Sequence, residues 1–193
     1  MSNSFRTTNS TGLINKDKKI NFTFNGTIYH GYEGDTLASA LIANGVHLVG
    51  RSFKYHRPRG FLGVGVEEPN AMVQLHDGNK SEPNIIATEV ELVEGLKAKS
   101  QNCWPSVQFD IGEINNVLNR FFPAGFYYKT FMWPKSFWMK IYEPFIRKAA
   151  GMGKAPLLPD PDRYEHNYEH CDVLVVGSGP SGLASALAAA KNG

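Results

Sequence analysis

The chain has 193 residues, 42% of them hydrophobic and 20% charged, a composition that supports one or two globular domains with buried cores. Its formal net charge of +2 is too small to point by itself to nucleic acid or an anionic membrane. No run reaches the ~18 apolar residues of a spanning helix, and the N-terminus lacks the apolar stretch of a secretory signal. The cysteines, Cys103 and Cys171, lie in no ligand-like spacing. A soluble cytoplasmic protein in a reducing compartment, with neither a disulfide framework nor a cysteine-ligated metal, is expected.

Residues 1–17 are polar and predict a flexible N-terminal arm. Beyond them Ile20, Phe22 and Phe24 alternate with polar residues up to Asn25-Gly26, and Thr27, Ile28 and Tyr29 follow. Asn-Gly between two such runs predicts a two-residue hairpin, with Phe22 facing Tyr29 and Phe24 facing Thr27. Next comes a helix over LASALIAN, with Asp35 or Thr36 to cap it and Gly45 to end it. Hairpin followed by helix predicts a small β-grasp unit over residues 18–100, its sheet completed by strands at 71–75 and 85–92 around a polar loop at 76–84.

Between the helix and the third strand runs Gly50-Arg51-Ser52-Phe53-Lys54-Tyr55-His56-Arg57-Pro58-Arg59-Gly60. Arg51, Lys54, Arg57 and Arg59, interleaved with aromatic rings, suit a phosphate, a carboxylate or a partner subunit. Single-stranded nucleic acid and a plain solvated loop are the other readings, and the weak net charge counts against nucleic acid. Residues 101–170 read as an aromatic-rich connector and linker. Phe121, Phe122, Tyr127, Tyr128, Trp133, Trp138 and Tyr142 concentrate there, and Phe137, Ile141 and Phe145 fall at helical spacing with Pro144 expected to end or kink the helix. Core packing is favoured over a subunit-facing surface. Residues 154–162 are a proline-rich linker, and His166 and His170, which lead into a strand, read as surface residues rather than metal ligands.

The last stretch, 171–193, organises the rest. Val173, Leu174, Val175 and Val176 form an unbroken apolar run, the pattern of a parallel strand buried on both faces. Gly177, Gly179 and Gly182 follow as G-x-G-x-x-G, and an Ala/Leu-rich helix comes after. In that context the motif is a dinucleotide fingerprint: Gly177 for the tight turn, Gly179 for the approach of a pyrophosphate, Gly182 for close helix–strand packing. Gly177, Ser178, Gly179, Pro180, Ser181 and Gly182 are the candidate cofactor-binding residues, with the phosphates on free N–H groups of the helix N-terminus. The acidic ribose ligand expected about 20 residues further on lies past the last residue, so the sequence reads as the front of a longer protein. Residues 1–193 alone are expected to bind dinucleotide poorly.

The run GDTLA, then LIANG, RSFKYHRPRG and EPNA, together with NRFFPAGFYYKTFMWP and the segment into DVLVVGSGPSG, resembles the alpha subunits of heterotetrameric sarcosine oxidases. The resemblance covers nearly everything after about residue 20. It implies an α+β domain followed by an α/β one: a β-grasp, 2Fe–2S ferredoxin-like unit, then the aromatic-rich connector, then the first βα of a Rossmann-type domain. Related subunits carry cluster cysteines in the loop after the helix, whereas this chain has no cysteine before Cys103; since a cluster needs four thiolates, a cluster-less unit is expected.

The resemblance further implies oxidative demethylation of sarcosine to glycine, a one-carbon unit and hydrogen peroxide. NAD would bind in this subunit, FAD and a covalent FMN would be associated with the beta subunit, and tetrahydrofolate would act at a C-terminal part that these residues do not include. Beta, gamma and delta subunits would be the partners. No paired carboxylates, Ser/His/Asp set or metal cluster marks a reaction centre here, so the expected roles are dinucleotide binding and subunit assembly. Two alternatives stay open: a related opine, proline or cyanide-forming dehydrogenase subunit, and a non-catalytic scaffold with a structural nucleotide.

Overall fold

In a computed structural model the structure describes residues 5–7, 12–121, 125, 130–153 and 155–192. The chain divides into two compact units, Met1–Pro161 and Asp162–Gly193.

The first unit is built on a hairpin. Strand β1 (Asn15–Phe24) runs antiparallel to β2 (Thr27–Glu33), with Phe22 opposite Tyr29 and Phe24 opposite Thr27. Asn25 and Gly26 both take positive φ, 50° and 80°, as the right-handed twist of a two-residue hairpin demands. Ile20, Phe22 and Phe24 point inward, and the Phe22 ring meets Tyr29 at 5.9 Å between centroids.

Helix α1 (Leu37–Ala43) lies against this sheet through Leu37, Ala38, Ala40 and Leu41. Of the two capping candidates Thr36 is the cap: its hydroxyl accepts from the Ser39 amide, and the Ser39 hydroxyl accepts from the Thr36 amide. At the other end Val46 N–H donates to the Leu41 carbonyl and Gly45 N–H to that of Ile42, with Gly45 at φ 76°, a complete Schellman motif.

Strands β3 (Gly50–Arg51) and β4 (Pro58–Arg59) pair as a separate two-stranded ribbon. The main sheet is completed by β5 (Met72–Leu75), β6 (Glu82–Ile86) and β7 (Lys97–Ser100), in the order β2-β1-β7-β5-β6. Strands β1 and β7 are parallel and the other neighbours antiparallel. Two features depart from the sequence expectation. The fourth strand lies earlier than residues 85–92, because the carbonyls of Ala87 and Val90 instead accept from Ala38 and Leu37, amides of the first turn of α1 that have no partner inside the helix. The central strand β7, KAKS, has little strand propensity, and its place between β1 and β5 overrides that.

Phe5 and Arg6, within the arm expected to be flexible, are docked. The Phe5 amide donates to Ala43 O at 3.0 Å, its ring sits edge-on to His47, and Arg6 makes a two-pronged ion pair with buried Asp35 at 3.1 and 2.6 Å. Asp35 also accepts from the Tyr32 amide and the Ser39 hydroxyl, so its carboxylate is surrounded by donors.

Residues 104–153 add short turns, including α2 (Ile114–Val117) and α3 (Glu143–Ala149). Their described aromatic side chains do not form a core: Phe121, Trp133 and Phe145 are 73%, 82% and 64% exposed, and among the described residues of the turns from 111 to 149 none is buried. Phe122, Tyr127 and Tyr128 lie outside the described residues. Pro144 does not end a helix. The π-helical turn at Trp138–Tyr142 passes directly into α3 through helical backbone at Tyr142 and Glu143, with Pro144 in the first turn of α3.

In the second unit residues 173–178 are irregular and helix α4 spans Pro180–Lys191. The strand expected over 173–176 is not formed, because a strand is bonded only through a neighbour and no described residue pairs with it. Val173, Leu174 and Val176 are 62%, 77% and 87% exposed. His166 and His170 are exposed on irregular backbone.

Candidate functional site

Three candidate regions emerge, one in the second unit and two in the first. In the second unit Gly177 has φ 110°, a conformation that a Cβ disfavours, and it turns the chain sharply ahead of α4. A Cβ on Gly182 would overlap the Gly177 carbonyl oxygen and come within 3.6 Å of Val175 Cγ1, so only glycine lets the first turn of α4 lie against the preceding segment. Gly179, the N-cap, has ordinary extended backbone (φ −68°, ψ 171°) and nothing within 4 Å of an added Cβ. The three glycines thus differ in kind: one is needed for backbone conformation, one for packing, and one faces open space.

No side chain caps α4, Pro180 occupies its first turn, and the Gly179 carbonyl accepts from Leu183 at 3.0 Å. Ser178 and Ser181 are exposed beside the turn. Basic Lys191 in the last turn complements the helix dipole, whose positive end lies at Gly179.

In the first unit the basic loop is folded back on itself. The Ser52 amide donates to Arg57 O and the His56 amide to Ser52 O, closing the ribbon of β3 and β4. The structure separates the four predicted cations. Arg51 is buried and commits its guanidinium internally: Nε donates to Val107 O at 2.9 Å, Nη1 to His56 O and Glu113 Oε2, and Nη2 to Gln108 O. It is a structural cation, not a surface contact, because each of its three nitrogens already donates to an acceptor inside the unit. Lys54 and Arg57 flank the Tyr55 ring, each 4.9 Å from its centroid, and Arg57 Nε donates to Asn116 Oδ1 at 2.7 Å. Arg57 and Arg59 are exposed.

His56 lies beneath this loop at φ 51°, with Nδ1 2.5 Å from Asp110 Oδ2 and Nε2 3.3 Å from Ala149 O. Asp110 also accepts from the Trp104 and Gly112 amides, and Asn102 donates to Arg51 O. Asp110, Asn102 and Glu113 escape a sequence reading because each stands some fifty or more residues from the loop it fastens, with no local pattern around it.

A third cluster surrounds Glu68. Its Oε2 accepts from the Leu62 and Gly63 amides, both at 2.6 Å, and Oε1 from Asn70 and Ala71 at 2.7 and 3.1 Å. Burial pushes this carboxyl up, but the four amides of Gly63, Asn70, Leu62 and Ala71 together outweigh burial and hold it below the usual carboxylate range.

The hairpin, the helix and the mixed sheet fit a β-grasp of the ferredoxin type, and residues 17–103 match the family described as 2Fe-2S iron-sulfur cluster binding domain. The residues do not fit the cluster itself. Cys103 is the single cysteine within the matched range; burial pushes its thiol up, the Asp110 charge adds to this and Arg51 opposes it, which disfavours the thiolate a cluster requires. Among the described residues no group of three or more His, Cys, Asp or Glu is placed to hold a metal ion.

Along its length the chain is 59% identical over 182 residues to the sarcosine oxidase subunit alpha of Rhizobium meliloti (strain 1021), covering 94% of this chain and 18% of that protein. It is 31% identical over 183 residues to the sarcosine oxidase subunit alpha of Corynebacterium sp. (strain U-96), covering 93% of this chain and 14% of that protein. The resemblance to sarcosine oxidase alpha subunits is therefore shown over nearly the whole chain, which spans less than one fifth of the length of these relatives. A solved structure of L-proline dehydrogenase from P. horikoshii aligns with TM-score 0.34 and 24% identity over 46% of this chain and 16% of that one. No helix among the described residues is long and apolar enough to cross a membrane.

Proposed function

We propose that this chain serves in the alpha subunit of a sarcosine-oxidising complex, an oxidoreductase acting on CH–NH donors, and that its own residues bind a dinucleotide and join subunits. The family reading rests on 59% identity along 94% of the chain. The binding role rests on one observation, the division of labour among the glycines: Gly177 at φ 110°, Gly182 without room for a Cβ, and Gly179 open to solvent. That is the arrangement in which a pyrophosphate reaches backbone N–H groups at the start of α4. The dinucleotide proposed for this subunit is NAD. FAD, FMN and tetrahydrofolate are assigned to other parts of the assembly, and beta, gamma and delta subunits are the proposed partners. The β-grasp unit is proposed to hold no iron–sulfur cluster, since its residues offer a single thiol.

Oxidation of the amine is assigned to residues outside this chain. Within it, the glycine turn would hold the pyrophosphate, and the exposed cations Arg57 and Arg59 would meet an acidic subunit face or a flavin phosphate. A related opine, proline or cyanide-forming dehydrogenase subunit and a non-catalytic scaffold with a structural nucleotide are the competing readings; reduction of the bound nucleotide during turnover separates a carrier from a scaffold.

The test is Gly179→Ala in the full-length protein purified with its partners. Gly179 has backbone angles that alanine accepts, so the fold and assembly should persist while extractable adenine dinucleotide falls at least about tenfold. Unchanged dinucleotide content in a correctly assembled variant would remove the binding role.

A further inference from the structure

The loop at residues 62–71 gathers its backbone donors on carboxylates of its own. The amides of Leu62, Gly63, Asn70 and Ala71 donate to the two oxygens of Glu68 at 2.6–3.1 Å, and those of Val64 and Gly65 donate to Glu67 Oε1. The loop is fastened from beneath, where the Thr88 hydroxyl donates to Gly65 O at 2.7 Å and the Ala87 amide to Ala71 O at 2.9 Å. Glu68 is 4% exposed, and among the described residues no lysine or arginine is paired with it. Peptide N–H groups balance its charge.

A concave array of backbone N–H groups is an anion receptor, a form that serves phosphate and iron–sulfur sites alike. Left unpaired, a buried donor costs about 1–3 kcal/mol, so a loop of this shape needs an anion at its centre. Residues 17–103 match a cluster-binding family, and a cluster held by four thiolates is such an anion. The matched residues carry one thiol, that of Cys103, and cannot supply that ligand set. They do carry Glu68 inside the loop. A carboxylate presents about four lone-pair directions on two oxygens, and four amides use them.

We infer that the loop at residues 62–71 is the anion receptor of an iron–sulfur site in which the Glu68 carboxylate has replaced the cluster, a covalently attached anion now holding the backbone in the receptor's shape. The inference rests on the cluster-less reading proposed above and adds the group that stands in the cluster's place. The shape of the loop is then independent of iron and of redox state. Deleting the Glu68 side chain leaves a receptor for a small free carboxylate.

The test follows amide hydrogen exchange by mass spectrometry in peptides covering residues 61–72 of the full-length chain. In Glu68→Ala exchange there should quicken at least about tenfold, since four amides lose their acceptor. Acetate restores the deleted methylene and carboxylate, and at roughly 0.1 M it should slow exchange again at least about threefold relative to sodium chloride of equal ionic strength. Acetamide, which has the same shape without the charge, should not. Where Glu68→Ala does not fold, refolding yield in acetate against acetamide gives the same readout: a gain confined to acetate supports the receptor, and no gain overturns it. The parent, purified without oxygen, should contain neither iron nor acid-labile sulfide. Protection that acetate fails to restore, or that acetamide restores equally, would overturn the replacement and leave the cluster-less reading standing. Iron and sulfide in near-stoichiometric amounts in the parent would overturn both.

Discussion

Replacing Glu68 with glutamine tests whether a single buried carboxylate organises residues 61–71. The side chain is 4% exposed, and each of its two oxygens accepts from two backbone amides. Glutamine has nearly the same shape but only one acceptor oxygen, so in either orientation its NH2 group faces two backbone donors. Two amides, part-buried or buried according to the orientation, lose their acceptor, at up to about 1–3 kcal/mol each, and the charge that strengthened the other two bonds is lost as well. A loss of about 3 kcal/mol is expected, a large share of a typical domain's ~5–15 kcal/mol. Urea denaturation of the parent and Glu68→Gln chains, monitored by tryptophan fluorescence, measures it. The carboxyl is held below its ordinary value in the folded state, so its contribution is present above the unfolded carboxylate pKa of ~4.3 and is lost as pH falls through the folded value. The gap between parent and variant should therefore narrow below about pH 4.3. A loss under about 1 kcal/mol, or a gap that stays constant from neutral pH down into the acid range, would refute the reasoning.

Arg6→Ala should destabilise the chain by about 2–3 kcal/mol, because it strands the buried Asp35 carboxylate with only the Tyr32 amide and the Ser39 hydroxyl. A double-mutant cycle with Asp35→Asn should return a coupling above about 1 kcal/mol. Gly112→Ala places a methyl group in the His56 ring and should cost about 1–3 kcal/mol; the same change in a His56→Ala background should cost far less, since the obstruction is gone. Thr36→Ala removes half of the capping box of α1 and should cost about 1 kcal/mol by thermal melting. Gly182→Ala should disturb the turn itself, lowering the helical content of residues 180–191 by NMR chemical shifts, in contrast to Gly179→Ala, which should leave it unchanged.

The basic loop shows why a list of charged residues is not yet a site. Arg51, Lys54, Arg57 and Arg59 are equivalent in the sequence, but Arg51 is internal and satisfied by carbonyls of residues 107 and 108 and by Glu113, while Arg57 and Arg59 are exposed. Their sorting depends on what a distant segment brings underneath. The same holds for the aromatic residues after Phe121: composition favours a packed core, whereas the described rings are largely exposed, because few apolar elements are opposed to them.

What the sequence determined by itself was everything governed by neighbours along the chain. Asn25-Gly26 and the alternation around it set the hairpin and its register, Thr36 and Gly45 bracket α1, and the glycine spacing at 177, 179 and 182 sets the turn before α4; each follows from backbone conformations that only certain residues accept. Tertiary structure decided what depends on residues far apart. It placed KAKS at the centre of the sheet, drew residues 87–92 to the amides of α1, buried Arg51 against residues more than fifty positions away, and docked Arg6 on Asp35. Buried donors and acceptors must find partners wherever the fold supplies them, and no local pattern records which distant group that will be.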